Sequence, residues 1–260
     1  MKNFRKYGRA PFRVAVVHGG PGASGEMAPI AKELSLDWSV LEPLQTATSL
    51  SKQIKELKAT LKNHAELPVT LIGHSWGAWL TCLLAAKHPP LVKKLILVGT
   101  SPFEAKYARN IMKTRLDRLD QKGRLKVLAV MEKLDDPDAD DKNMLLAELG
   151  KLISRTDSYD ALPDDNEPLE YEHRIYQRVR PQAAELRRSG RLLRLARKIK
   201  CPVVAIHGDY DPHPPDGVKK PLALVLKNFR FILLEKCGHF PWLERQARDR
   251  FYEILKREIG

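Results

Sequence analysis

Three cysteines are too few and too scattered to build a disulfide framework. Cys82, Cys201 and Cys237 are odd in number and form no C-x-x-C pair. Reduced thiols and a cytoplasmic setting are expected. No apolar run approaches the roughly 18 residues of a membrane span. The run Val14 to Val17 follows a basic start, but it is too short for the core of a signal peptide and leads into glycines. Internal repeats are lacking, and so is any recognised nucleic-acid motif. That last absence matters because 45 Lys and Arg stand against 32 Asp and Glu, a formal net charge of +13. The charge is spread along the chain at helical spacing, as on a solvated surface. Nucleic acid is therefore not expected as the main partner.

What is present is a core former: 260 residues, 43% of them hydrophobic. That suffices for one large domain with an insertion. Residues 12–17 (Phe-Arg-Val-Ala-Val-Val) read as a buried strand, and residues 38–41, 69–72 and 94–98 as three more. Helices are expected over 24–34, 49–62 and 76–87, where apolar residues recur at spacings of three and four. Alternating strands and helices with continuous apolar strands predict a mostly parallel sheet with helices on both faces. From 101 to 198 no strand is expected. Helices are predicted over 102–120, 123–133, 142–155, 169–179 and 181–198, the last two split at Pro181. The Asp-rich loop 135–141 lacks the glycine and terminal Glu of an EF-hand and reads as a solvated connector. The Arg-rich run 187–198 reads as an amphipathic helix with a charged face. Strands return at 203–206 and 229–234, with helices over 216–226 and 243–259. The expected organisation is a sheet domain from residues 1–100 and 199–260, with a helical cap at 101–198 inserted after the strand ending near Val98.

Ligands of an open parallel sheet bind beyond the carboxyl ends of its strands. Four such ends carry chemistry. The first is His18-Gly19-Gly20-Pro21-Gly22, a loop held in a special backbone shape. The second is Gly73-His74-Ser75-Trp76-Gly77, between a strand and a helix. Strand, G-x-S-x-G and helix make a nucleophile elbow. Gly73 and Gly77 allow a turn too tight for side chains, and Ser75 stands at its tip. A serine hydroxyl needs a base, and a base needs an acceptor that fixes its tautomer. His239, on the loop after the last strand, is the candidate base, and Asp211 the candidate acid. Asp209 is the rival acid, or else holds its turn through backbone N–H groups. The oxyanion is expected to meet the N–H of Trp76 and that of Gly20. The Trp76 ring is expected to wall the pocket. His18 and His74 are expected to bond locally and hold their loops. His207, Asp209, Asp211 and His213 alternate as metal ligands could, but alternate residues on an extended turn need not converge. No metal and no cofactor are expected.

These residues resemble the α/β-hydrolase fold family over nearly the whole chain. The glycine loop together with the Ser-Trp elbow is similar to the proline iminopeptidase branch. The resemblance implies Ser75 as nucleophile, Asp211 as acid, His239 as base, and Gly20 and Trp76 as oxyanion donors. His18, Gly19, Pro21 and Gly22 would support the oxyanion loop, and Gly73, His74 and Gly77 would shape the elbow. There are departures. Only eleven residues precede Phe12, so the antiparallel strands that open this fold are expected to be absent or reduced. His74 stands where the iminopeptidases usually have glycine. Their caps hold a substrate amine with acidic residues, and Glu167, Glu170 and Glu172 lie in this cap. The expected activity is a serine hydrolase working through an acyl-enzyme on a small ester or amide, with specificity set by the cap. An iminopeptidase-type aminopeptidase is the alternative. A non-catalytic binding protein of the same fold is disfavoured, because such proteins normally lose a triad member.

Overall fold

A computed structural model describes residues 3–163 and 169–260. Glu167 lies outside the described residues. The elements are β1 (Phe4–Tyr7), β2 (Val14–Val17), β3 (Ala23–Ser24), α1 (Ala28–Leu34), β4 (Val40–Pro43), α2 (Leu50–His64), β5 (Val69–His74), α3 (Trp76–Lys87) and β6 (Val92–Val98). Then come α4 (Ile111–Asp117), α5 (Gln121–Asp135), α6 (Lys142–Asp157), β7 (Glu170–Tyr171), α7 (His173–Arg188) and α8 (Arg191–Ala196). The chain ends with β8 (Val203–Gly208), α9 (Asp216–Val225), β9 (Phe229–Leu234) and α10 (Arg248–Ile259).

Seven strands form one sheet in the order β1-β4-β2-β5-β6-β8-β9. β1 runs antiparallel to β4, and the other pairings are parallel. Successive side chains of a strand face opposite ways. In β6, Leu95 and Leu97 therefore join α2, α3, α7, α8 and α9 in one apolar cluster. Ile96 and Val98 join α1 and α10 in the other. Burial of each such side chain stabilises the fold by about 1.5–3 kcal/mol. Strands apolar at every position suit a sheet covered on both faces.

The opening antiparallel strands are reduced to β1, as expected. Three expectations are corrected. Residues 23–24 do not begin a helix: they pair with residues 170–171 as β3 and β7, and β7 is a short strand in the stretch 101–198 where none was expected. Residues 102–120 form a short 3-10 turn and α4 rather than one long helix. Pro181 does not split a helix, because α7 runs through it. Ile175, Val179, Ala183 and Leu186 form one buried stripe on either side of it. That burial outweighs the roughly 3 kcal/mol cost of an interior proline. The helices after β6 thus fall into two sets. α5 and α6 share a small cluster of their own, Val127, Val130, Leu134, Leu146 and Leu149. α7 and α8 bury their apolar faces in the main cluster with α3.

Candidate active site

The elbow is built as tightly as its glycines suggest. Ser75 has φ 50° and ψ −111°, a strained conformation for a residue with a side chain. A Cβ on Gly73 would lie 2.6 Å from Gly77 O, and one on Gly77 would strike the carbonyls of Val17 and His18. Ser75 N–H donates to Val98 O at 3.0 Å, fixing the turn against β6. The serine is half-buried at the start of α3, whose first N–H groups have no partner within the helix. Trp76 supplies the first of them. Its ring lies in the core, 5% exposed, with its N–H on Gln53 Oε1 at 3.1 Å.

The glycine loop follows β2. Gly20 and Gly22 have φ 32° and 89°, where glycine is favoured. His18 is buried; its Nδ1–H donates to Gly19 O at 2.8 Å and its Nε2 accepts from Gln45 N–H at 3.0 Å. Burial pushes its pKa below the ordinary value. Gly19 N–H donates to Glu26 Oε2 at 2.6 Å, and among the described residues no acceptor meets the Gly20 N–H.

His74 does not bond locally. Its Nδ1 pairs with Glu26 Oε2 at 2.7 Å, and its Nε2 with the carbonyl of His239 at 3.0 Å. A single ring thus ties the elbow to both flanking loops. Burial opposes ionisation of Glu26, but the His74 ring and the Gly19 N–H hold its pKa below the ordinary carboxylate value.

Of the two candidate acids, Asp211 meets His239. The Nδ1–H of His239 donates to Asp211 Oδ2 at 2.7 Å, which leaves Nε2 as the acceptor of the neutral ring. Asp209 instead accepts from the backbone N–H of Cys237 at 3.1 Å and ties its turn to the loop after β9. Burial disfavours a charged His239, but the adjoining Asp211 carboxylate overrides it and raises the pKa. Burial likewise opposes ionisation of Asp211, yet the surrounding His239, His213 and His207 rings hold it well below the carboxylate range. Among the described residues no hydrogen bond joins Ser75 to His239. Such bonds are often long in unliganded sites and tighten around substrate.

The alternating residues at 207–213 do converge, contrary to expectation, apart from Asp209. The chain curls after β8, so that His213 Nδ1–H donates to Asp211 Oδ1 at 2.7 Å. His207 Nε2 lies 3.5 Å from Asp211 Oδ2 and donates to His213 O at 2.7 Å. Donor atoms of Asp211, His213 and His239 all lie within 4.8 Å of one another, the spacing a metal ion would need. Both carboxylate oxygens, however, already accept from the two imidazoles.

Glu244, Asp157 and Arg115 gave no signal in the sequence. Glu244, wholly buried, accepts from the N–H groups of Gly238, Tyr159 and Asp160 at 2.8–2.9 Å. Asp157 accepts a bidentate bond from Arg115 at 2.8 and 2.5 Å, while its carbonyl accepts from His239 N–H at 2.7 Å. The loop carrying His239 is therefore fastened both to the elbow and to the end of α6. Glu244 and the Asp157 carbonyl act on backbone N–H groups, most of them far away in sequence.

The chain belongs to the alpha/beta hydrolase family, whose profile matches residues 14–254. A pimeloyl-acyl-carrier protein methyl ester esterase of Chromobacterium violaceum is 26% identical over 244 residues, 90% of this chain and 89% of that protein. The crystal structure of VinJ superposes with a TM-score of 0.68 at 18% identity, covering 98% of this chain and 93% of that one. A proline iminopeptidase from Mycobacterium smegmatis superposes with a TM-score of 0.63 at 14% identity, over 98% and 93% of the two chains. At those identities the two structures share the fold with this chain.

Proposed function

We propose that the protein is a serine esterase that cleaves a small ester through an acyl-enzyme. Ser75 attacks the ester carbonyl, and His239 Nε2 takes its proton. Asp211 keeps His239 in the tautomer with Nδ1 protonated and stabilises the charged ring. The N–H groups of Trp76 and Gly20 receive the oxyanion. His239 passes its proton to the leaving alcohol, then activates the water that releases the acid. The single observation that carries this reading is the buried Asp211–His239 bond of 2.7 Å, on a loop fastened through His74 to the strained Ser75 elbow. The relative that acts on a methyl ester favours esters over amides. In this reading residues 1–100 and 199–260 form the catalytic domain in the cytoplasm, and the helices of 101–198 set specificity as a cap. Among the described residues no helix is long and apolar enough to cross a membrane.

One observation favours the aminopeptidase reading as runner-up. Glu172 N–H donates to Gly22 O at 2.8 Å, and Glu170 pairs with Ser24, so acidic residues stand beside the oxyanion loop. The two readings separate in one experiment. The protein and Ser75→Ala are treated with a fluorophosphonate probe, then assayed on p-nitrophenyl esters and prolyl arylamides. Labelling of the parent alone, with turnover of esters and none of arylamides, is expected. An unlabelled parent overturns the serine mechanism, and arylamide turnover overturns the esterase assignment.

A further inference from the structure

The Asp211 carboxylate serves two histidines. His239 Nδ1–H takes Oδ2, while His213 gives Oδ1 both its ring Nδ1–H, at 2.7 Å, and its backbone N–H, at 2.9 Å. The two rings lie 4.6 Å apart at 31°. His213 is 7% exposed, and its carbonyl is held in turn by His207 Nε2–H. A carboxylate with one oxygen clamped twice cannot rotate its other oxygen away from His239.

We infer that His213 is a positioning residue of the Asp211–His239 pair, fixing Oδ1 so that Oδ2 is aimed at the base and sharing the charge of the carboxylate. The inference rests on the esterase reading for its kinetic consequences, but the hydrogen bonds themselves can be observed without turnover. Burial pushes the His213 pKa down to about 4, so its ring acts as a neutral donor over the working range. A neutral N–H on Oδ1 draws off part of the negative charge that His239 would otherwise feel alone. Its loss must therefore raise the His239 pKa and move the acid limb of the rate profile to higher pH. The other groups around the two rings are His207 on β8, Arg115 and Asp157 on α4 and α6, and His74 and Glu26 at the elbow and its loop. None of them is altered by a change at position 213.

Two variants separate the ring N–H from the ring itself. His213→Phe keeps a flat ring against His239 without the donor. His213→Asn keeps a neutral N–H close to the position of Nδ1. His213→Phe is expected to lower kcat for a p-nitrophenyl ester about tenfold, with KM unchanged, and to move the acid limb up by about half a pH unit. His213→Asn is expected to stay within about twofold of the parent on an unmoved limb. The inference is overturned if His213→Phe keeps the parent's limb and kcat, or if His213→Asn is impaired as much as His213→Phe. Proton NMR of the parent, labelled with nitrogen-15 histidine, adds a readout independent of activity and of how the variants fold. Two downfield imidazole N–H signals that persist at neutral pH and couple to residues 213 and 239 are expected. A signal from His239 alone overturns the inference even if the esterase reading stands, and both signals in a protein without esterase activity retain it while that reading falls.

Discussion

At the carboxyl ends of the strands, polar side chains are buried and joined to one another. In α5 and α6, apolar side chains stand in water. His18, His74, His207, Asp211, His239 and Glu244 are each less than 6% exposed, and each makes at least one hydrogen bond. Leu125 and Leu128 on α5 are 61% and 49% exposed, and Met144 on α6 is 67% exposed. The first region gets its single geometry from directional bonds that leave donors and acceptors no alternative once desolvated. The second is held mainly by a cluster of five buried residues and by its ties at Arg115 and Glu244. Order at the candidate site therefore owes more to the polar network than to α5 and α6.

The largest test of that contrast is Asp211→Asn. It should lower kcat by about 10³–10⁴-fold while the fold survives. The sign of the pH effect is fixed as well. The carboxylate raises the His239 pKa, and activity is lost as pH falls through that pKa. Removing the charge should move the acid limb of any residual activity to lower pH, opposite to His213→Phe. A full pH–rate profile on a p-nitrophenyl ester decides it; an unmoved limb would mean that Asp211 does not govern His239.

The two regions meet at Arg115, where Asp157 is 1% exposed and Arg115 16%. Arg115→Met leaves a buried carboxylate unpaired, which should cost about 3 kcal/mol. Urea unfolding monitored by Trp fluorescence measures it. Since Asp157 also accepts from His239 N–H, kcat should fall with stability. If stability falls and kcat does not, the end of α6 does not help to place His239.

Glu26→Gln tests the polar network from within. Gly19 N–H and the His74 ring would both lose a charged acceptor, and about a tenfold loss of kcat is expected, with KM little changed. A rise in KM alone would mean that Glu26 shapes binding rather than the glycine loop.

The same contrast explains what was legible in the sequence. The β5–α3 elbow, the parallel strands and the histidine and aspartate at strand ends are local signals. An apolar run, a glycine pair and chain order suffice to find them. β1 escaped because Phe-Arg-Lys-Tyr has no apolar run, and it is defined by pairing with β4. Pro181 misled because the penalty of a proline is local while the buried stripe that outweighs it is tertiary. Glu26 and Glu244 escaped for a third reason. The groups they hold are mostly backbone N–H, which every residue but proline carries, so no residue type marks them.

The smallest effect is expected at the exposed leucines. Replacing Leu125 and Leu128 together with Gln removes apolar surface that is already largely in water, so little transfer free energy changes hands. Gln is also as good a helix former as Leu in an exposed position. Stability should stay within about 0.5 kcal/mol of the parent, and turnover of a short ester should be unchanged, as differential scanning fluorimetry and the p-nitrophenyl assay can measure. A destabilisation of about 2 kcal/mol or more would require each leucine to be buried in solution. In that case α5 packs against something beyond this chain, and the contrast between a closed polar site and an open apolar helix pair would hold only for the isolated molecule.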